Sequence, residues 1–364
     1  MIPPPGCCLT TVTAANSSQA VISGAGVPDE VPERRVLHSG KDGSGRFQRL
    51  CCQQGYGRIK TAEQKQQKKI TERDNRKRDS KMKFTKMQGC GNDYVYVNGA
   101  EADFSPEKKA EIARKLSDRH FGVGGDGVIF INPSEEADFE MEMYNADGSR
   151  GEMCGNGMRC VAVYVYCKGL TDKKEFNVVS AGKLKKIRLD ADDSGETRKV
   201  NSVCVDMGLP VLEAELVPVL SDKKTVVNEP IEVAGKVYHH TCVSMGNPHS
   251  VIYVDDTDNF PLETLGRYFE NHPSFPKRVN TEFIQIIDRQ NVKMRVWERG
   301  TGETLACGTG ACATAVAGVL NGCTDNEITV HLLGGDLKIK WEGEGHPVYM
   351  TGPAEFVFEG EIAV

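Results

Sequence analysis

A repeated segment constrains the fold of this chain more than any other feature of its sequence. The segments YNADGSRGEMCGNG (144–157) and WERGTGETLACGTG (297–310) both carry an aromatic residue ten positions before a cysteine that opens a C-G-x-G turn. Cys154 and Cys307 therefore occupy equivalent places, 153 residues apart. Duplication of one supersecondary unit explains the match, and it predicts two similar domains.

An apolar run follows each copy of the repeat. Residues 158–168 (MRCVAVYVYCK) and 311–321 (ACATAVAGVLN) are apolar nearly all round. A helix without a polar face must be buried on every side, so each run predicts a central buried helix. Buried strands are the alternative, above all for the β-branched first run.

The other periodic segments are mostly strands. KFTKMQG (83–89), YVYV (94–97), VIFI (128–131) and FEMEMYN (139–145) have strand patterns, and a helix is expected from Ser105 as N-cap to about Arg119. We therefore predict an α+β protein of two pseudo-symmetric domains, each a sheet or barrel wrapped around a central buried helix, with the active site in the cleft between them. The predicted domains are residues 82–198 with 353–364, and residues 199–352.

Charge separates the N-terminal segment from the rest of the chain. Residues 1–81 carry a net charge of +7 and the remaining 283 residues a net charge of −13. The segment is polar and is expected to be disordered, a targeting peptide, or a spurious extension upstream of a functional start at Met82. An acidic body argues against a nucleic-acid partner, and no run approaches the roughly 18 apolar residues of a membrane span.

The chain has thirteen cysteines. Their number is odd, their spacing is irregular and no secretory leader is recognisable, which favours reduced thiols in the cytoplasm, or in a plastid if residues 1–81 are a transit peptide. The spacing of cysteines and histidines predicts no metal site. Cys90 is expected to be structural, and six cysteines within apolar runs are expected to be inert core residues: Cys160, Cys167, Cys204, Cys242, Cys312 and Cys323.

The repeated cysteines have a chemical interpretation. Each thiol would lie at a helix N-terminus, where the helix dipole favours the reactive thiolate. His249 and Glu298 are the candidates to tune the pKa values of the pair. One thiolate and one thiol on opposite faces of a carbon could remove and return a proton, which inverts that carbon. The glycines after each cysteine would let backbone N–H groups bind a substrate carboxylate.

Several motifs together resemble the diaminopimelate epimerase family. They are MKFTKMQGCGNDYVYVN (82–98), NADGSRGEMCGNGMRC (145–160), SMGNPH (244–249), RVN (278–280) and ERGTGETLACGTGACA (298–313). The resemblance implies an isomerase that interconverts LL- and meso-2,6-diaminopimelate in lysine and peptidoglycan synthesis, without a cofactor and usually as a homodimer. Neither pyridoxal phosphate nor a metal is expected, and the partner is a small-molecule substrate.

The resemblance also assigns roles to residues. Cys154 and Cys307 would be the acid/base pair, and Gly155, Asn156, Gly308 and Thr309 would hold the reacting α-carboxylate and amine. The distal end of the substrate would be bound by Asn92, Asn145, Asn247, Asn280, Glu298 and Arg299. The loop GVGGDG (122–127) has Gly127 where some family members have Gln, so no side-chain contact is expected there. Its G-x-G-x-x-G pattern lies between a helix and a strand, the reverse of a dinucleotide site.

Three alternatives remain at this stage. The first is a two-cysteine racemase of proline or hydroxyproline, which needs no site for a distal ammonium and carboxylate. The second is a thiol redox protein, whose two cysteines would have to approach within about 7 Å between Cα atoms to form a disulfide. The third is a binding module, which would have no need of paired thiols.

Overall fold

A computed structural model describes residues 81–151, 154–195 and 197–364. The predictions for residues 1–80 lie outside these described residues. The first strand begins at Lys81, the last residue of the predicted N-terminal segment.

The described part of the chain forms seventeen strands and four α-helices. The strands are β1 (Lys81–Gly89), β2 (Asn92–Asn98), β3 (Gly127–Asn132), β4 (Phe139–Asn145), β5 (Glu175–Ser180), β6 (Lys183–Asp192), β7 (Lys199–Gly208), β8 (Glu229–Val233), β9 (Lys236–Ser244), β10 (Pro248–Tyr253), β11 (Asn280–Ile286), β12 (Asn291–Glu298), β13 (Gly302–Thr304), β14 (Glu327–Leu332), β15 (Gly335–Trp341), β16 (Val348–Gly352) and β17 (Glu355–Ala363). The helices are α1 (Pro106–Ser117), α2 (Gly155–Cys167), α3 (Leu262–Glu270) and α4 (Gly308–Leu320).

The strands form two sets with the same topology. The first set runs β17–β1–β2–β3–β4–β5–β6–β7, with parallel pairs β2–β3 and β4–β5 and antiparallel pairs elsewhere. The second set runs β8–β9–β10–β11–β12–β14–β15–β16, and its parallel pairs β10–β11 and β12–β14 fall at the same places. Strands β7 and β16 pair antiparallel and join the two sets. The predicted pseudo-symmetric α+β fold is therefore confirmed.

The register of the strands follows the sequence repeat. Val128 lies opposite Tyr144 in the first half, and Thr281 lies opposite Trp297 in the second. Both members of the first pair are 153 residues before their counterparts, the same separation as Cys154 and Cys307. Equivalent residues of the two halves can therefore be compared directly.

Helices α2 and α4 are the two buried helices that the apolar runs predict. Each packs in the main core, and their central side chains are inaccessible to solvent. Cys154 is the N-cap of α2 and Cys307 is the N-cap of α4. The helical interpretation of both runs is therefore confirmed, and their interpretation as strands is wrong.

The remaining helices differ in how well the sequence predicts them. Helix α1 begins after Ser105, whose hydroxyl accepts a hydrogen bond from the Lys108 N–H, as expected. Helix α3 was not predicted, although Leu262, Gly266 and Phe269 give it one buried face. Across the described ranges, every helix is too short or too polar to cross a bilayer.

Candidate active site

Both repeated cysteines line one cavity of about 1150 Å³. Ten of the thirteen residues that the sequence nominates for the site lie in its wall: Asn92, Asn145, Cys154, Gly155, Asn156, Asn247, Glu298, Cys307, Gly308 and Thr309. The other three, His249, Asn280 and Arg299, are outside the wall. The structure thus brings together residues from both halves of the repeat.

The Cys154 thiol lies at the start of α2 and is half-buried. Its Sγ accepts a hydrogen bond from the Gly157 N–H over 3.3 Å and donates to Asn92 Oδ1 over 3.1 Å. Burial raises the pKa of this thiol above its usual value, and the Gly157 N–H opposes the rise. The Glu298 carboxylate raises the pKa of Cys154 further.

The Cys307 thiol lies at the start of α4 and is buried. Its Sγ is 3.5 Å from the hydroxyl oxygen of Thr309. Burial raises the pKa of Cys307 well above its usual range, and the carboxylates of Glu298 and Glu282 add to the rise. The Thr309 hydroxyl and the Gly310 N–H oppose it.

The helix ends act in the expected direction, since the Gly157 and Gly310 N–H groups lower the thiol pKa values, but burial raises these pKa values by more. An exposed helix N-terminus favours an anion by about 0.3–1 kcal/mol, which is less than one pKa unit. Removal of a thiolate from water costs more than this, so burial decides the direction for both cysteines. The helix N–H groups still act on the sulfurs, but they only moderate the rise.

Glu298 ends β12 and reaches the cavity from the second half. Its Oε1 accepts a hydrogen bond from the Thr304 hydroxyl. Burial raises the pKa of Glu298, while hydrogen bonds from Thr304 and Cys307 hold that pKa down. The charge of this carboxylate in turn raises the pKa of Cys307.

His249 lies behind the cavity wall and is fully buried. Its Nδ1 is 2.7 Å from Glu282 Oε1, and its Nε2 is 3.0 Å from Asn247 Oδ1. Sequence reasoning missed Glu282, although a lone carboxylate in the otherwise apolar centre of NTEFIQI (280–286) is a signal for a buried polar contact. His249 thus contacts the cavity through Asn247.

The cluster of His249, Glu282 and Cys307 has donor types that metal ions accept. One ligand atom from each residue lies within 4.8 Å of the others. His249 Nδ1 and Glu282 Oε1 already form a short hydrogen bond with each other. We therefore assign the cluster to hydrogen bonding.

Asn280 and Arg299 support the site from outside. The Asn280 amide donates to the Pro248 carbonyl over 3.0 Å, and its Oδ1 accepts from the Arg299 backbone N–H over 2.9 Å. The exposed Arg299 guanidinium donates to the Lys277 carbonyl. The predicted Arg299 clamp therefore points away from the cavity in this conformation.

A buried arginine is a second residue that sequence reasoning missed. Arg159 is 0% exposed and donates to the Pro353 carbonyl and to Asn156 Oδ1, both over 3.0 Å. It also donates to the Cys90 thiol over 3.5 Å. Cys90 is buried, takes a positive φ of 54° and is not part of the cavity wall, which agrees with a structural role.

This fold and this site define an amino-acid epimerase. The family described as diaminopimelate epimerase matches residues 84–213 and 241–357 of the chain. The chain belongs to the diaminopimelate epimerase family.

The chain aligns with its relatives over nearly the whole length of those relatives. The diaminopimelate epimerase of Acetivibrio thermocellus is 55% identical over 281 residues, which is 77% of this chain and 98% of that protein. The diaminopimelate epimerase of Methanococcus maripaludis is 51% identical over 283 residues, 78% of this chain and 100% of that protein.

More distant solved structures share the fold alone. A hydroxyproline epimerase from Agrobacterium vitis has a TM-score of 0.54 at 13% identity and covers 78% of this chain and 91% of its own. A PhzF-family phenazine biosynthesis protein from Bacillus anthracis has a TM-score of 0.55 at 17% identity and covers 78% of this chain and 99% of its own.

Proposed function

We propose that the chain converts LL-2,6-diaminopimelate to meso-diaminopimelate for lysine and peptidoglycan precursor synthesis, by proton transfer between two thiols. The observation that carries this proposal is that Cys154 and Cys307 cap two separate helices and line one cavity. A thiolate on one side removes the α-proton while the thiol on the other side delivers a proton to the opposite face. Because the two groups exchange protonation states, the reaction runs in either direction.

The residues after each cysteine would bind the reacting end of the substrate. Gly155, Asn156, Gly308 and Thr309 occupy the first turns of α2 and α4, where backbone N–H groups have no partner within the helix. Such groups attract a carboxylate and also stabilise the negative charge that develops when the α-proton leaves. Cys154 and Cys307 are the catalytic pair in this proposal.

The distal amino-acid end needs acceptors for its ammonium and donors for its carboxylate. Four nominated residues in the cavity wall supply amide or carboxylate groups: Asn92, Asn145, Asn247 and Glu298. Asn280 and Arg299 would contribute after a local rearrangement of Arg299. His249 and Glu298 tune the ionisation of Cys307 and, through Glu298, that of Cys154.

The test is incubation with LL-diaminopimelate in deuterium oxide. Formation of the meso isomer with one deuterium at the inverted carbon is expected, because a thiol that exchanges with solvent delivers the new hydrogen. Inversion without label, or no inversion with fully reduced protein, would contradict the proposal. L-proline and hydroxyproline serve as competing substrates that lack a distal end.

We also propose a homodimer formed through β17. This strand pairs with β1 on one side, and its other edge pairs with no strand of the described ranges. Three consecutive apolar residues are exposed on it: Phe356 (38%), Val357 (54%) and Phe358 (46%). Long apolar edge strands commonly pair with another chain. Val357→Lys is expected to give monomers in sedimentation velocity, whereas the wild-type chain gives dimers.

The proposed domains are residues 82–198 with 353–364, and residues 199–352. The pairing of β17 with β1 supports the return of the chain end to the first domain.

We also propose a cytoplasmic location, supported by the nine described cysteines, which are all free thiols. Thiol titration of native protein from cell fractions tests this.

A further inference from the structure

The glycine-rich loop GVGGDG (122–127) places one carboxylate beside the cavity of the two cysteines. Asp126 directly precedes β3 and lines the cavity wall. Its backbone N–H donates to the Asp93 carbonyl over 2.7 Å, and its own carbonyl accepts from the Ala146 N–H over 3.1 Å. Backbone contacts to two neighbouring segments therefore fix the position of Asp126.

The Asp126 carboxylate is surrounded by hydrogen-bond donors. Its Oδ1 accepts from the Arg119 guanidinium over 2.9 Å. Its Oδ2 accepts from Asn92 Nδ2 over 2.6 Å and from the Asp93 N–H over 3.1 Å. Because Arg119 forms an ion pair with Asp126 and a guanidinium has no acceptor, the carboxylate accepts in all three bonds.

These contacts determine the orientation of the Asn92 amide. The reverse orientation would place two acceptor oxygens, Asn92 Oδ1 and Asp126 Oδ2, 2.6 Å apart without a proton between them. In the orientation that Asp126 selects, Asn92 Oδ1 is 3.1 Å from Cys154 Sγ. An amide oxygen only accepts, so Cys154 donates in this bond and carries its proton.

We infer that Asp126 is a positioning residue for Cys154: it orients the Asn92 amide so that the amide oxygen holds the thiol proton of Cys154. This inference rests on the proposed function, in which Cys154 both gives and takes a proton. Only the oxygen of the Asn92 amide is left to the cavity, so a substrate group that binds there is a donor, such as an ammonium. The loop GVGGDG thus acts on the proton-transfer pair without contributing a catalytic residue.

The second half of the repeat has the same amide without the same carboxylate. Asn247 is equivalent to Asn92, because each lies two residues before the residue that opposes the start of the next strand, β11 or β3. Val279 directly precedes β11, where Asp126 precedes β3. The Asn247 amide contacts side chains other than the second cysteine. A change at Asp126 should therefore affect Cys154 alone.

The surroundings of Cys154 determine the sign of the expected effect. Burial has the largest effect on the Cys154 pKa and raises it, the Gly157 N–H opposes the rise, and the Glu298 carboxylate adds to it. An amide oxygen that accepts from the thiol acts in the same direction as burial, because the bond is lost when the thiolate forms. The charge of the part-exposed Asp126 also acts in that direction, but water screens it. The charged or titratable groups of β2, α2 and β12 that interact with Cys154 are Tyr94, Tyr96, Arg159, Cys160 and Glu298.

The experiment follows the two cysteines separately in one sample. Asp126→Asn and the wild-type chain are alkylated with iodoacetamide under full reduction at several pH values, and the Cys154 and Cys307 peptides are quantified by mass spectrometry. The substituted amide can donate to Asn92 as well as accept from it, so Asn92 is free to turn its nitrogen toward a thiolate.

The expected result is a more acidic Cys154. Its alkylation profile should move down by about one pH unit in Asp126→Asn. Because a more acidic thiolate is a weaker nucleophile, the rate near about pH 8 should rise by only about threefold. Alkylation of Cys307 should change by less than about 1.5-fold, since Asn247 has no contact with Asp126 in the described structure.

Matched variants separate the orientation of the amide from charge and from packing of the loop. Arg119→Gln breaks the same ion pair but leaves the carboxylate, so it should not accelerate Cys154. Asp126→Glu keeps an acceptor and should lie between the wild type and Asp126→Asn. In an Asn92→Ala background, Asp126→Asn should change the Cys154 rate by less than about 1.5-fold, because no amide remains to be oriented. Asp126→Ala frees Asn92 in the same way and replaces Asp126→Asn if that variant does not fold.

Unchanged alkylation of Cys154 in Asp126→Asn, equal acceleration of both cysteines, or the same acceleration in the Asn92→Ala background would overturn the inference. Acceleration by Arg119→Gln would overturn it as well, because loosening of the loop would then be sufficient. These readouts need no turnover. Failure of the proposed function would instead show as absence of α-deuterium incorporation by the wild-type chain.

Discussion

The side-chain amide of Asn156 donates a hydrogen bond to the carbonyl oxygen of Ala306 over 3.4 Å. Asn156 is the second residue after Cys154, and Ala306 directly precedes Cys307, so this bond connects the two copies of the repeat at their cysteines. Arg159 holds the same side chain through its Oδ1. The relative position of the two sulfurs therefore depends on contacts between the two halves.

Replacement of Arg159 should destabilise the protein. Arg159→Leu removes hydrogen bonds to Pro353, Asn156 and Cys90 and leaves buried acceptors without partners. We expect the free energy of unfolding to fall by about 2–4 kcal/mol, measured by urea denaturation. Arg188→Leu is the control, since the Arg188 side chain is 68% exposed and its ion pair with Glu175 contributes little. Equal losses in both variants would contradict a structural role for Arg159.

Each repeated cysteine should be indispensable for inversion. Cys154→Ala and Cys307→Ala each remove one of the two proton-transfer groups, and we expect kcat to fall by about 10²–10⁴-fold in both directions of the reaction. Circular dichroism of the isomer mixture follows the rate. Cys323→Ala should retain activity, because Cys323 is outside the cavity wall. Full activity in either single variant would exclude a two-thiol mechanism.

Neutralisation of Glu298 should make both thiols more acidic. Its carboxylate raises the pKa of Cys154 and of Cys307, so Glu298→Gln should lower both pKa values. The pH at which iodoacetamide alkylation is half-maximal should then move down by about one unit. Glu263→Gln, an exposed acid in the same cavity wall, should change it little because water screens its charge. A shift to higher pH in Glu298→Gln would contradict the assignment.

His240 should make the protein sensitive to acid. Burial lowers the pKa of His240 to about 4. In the unfolded chain a histidine has a pKa near 6.5, so between about pH 6.5 and pH 4 the unfolded state binds the extra proton and stability falls as the pH falls. The loss should reach about 3 kcal/mol over this window.

His240→Gln tests this dependence by denaturation at several pH values. The variant should lose less stability than the wild-type chain between pH 6.5 and pH 4, expressed relative to its own value at neutral pH. The exposed neighbour His239 gives the control variant His239→Gln, which should keep the wild-type dependence. Parallel stability curves for His240→Gln and the wild type would show that His240 is not the responsible group.

Local pattern accounts for the parts of the fold that the sequence predicts. The two C-G-x-G turns and the apolar runs after them identify α2 and α4, because a helix without a polar face has to lie inside the protein. Helix α3 was not predicted from the sequence, because two signals are weak. Its N-cap residue, Pro261, makes no side-chain hydrogen bond, and its one buried face is short.

The sequence by itself determined the duplication, the two central helices and the placement of a cysteine at the start of each, because these depend on residues close together in the chain. Tertiary structure alone decided the chemical difference between the two thiols. Glu282 and His249 are 33 residues apart and meet only because β10 and β11 pair in parallel. The thiol pKa values rise rather than fall because burial, a property of the folded whole, outweighs the local effect of a helix end.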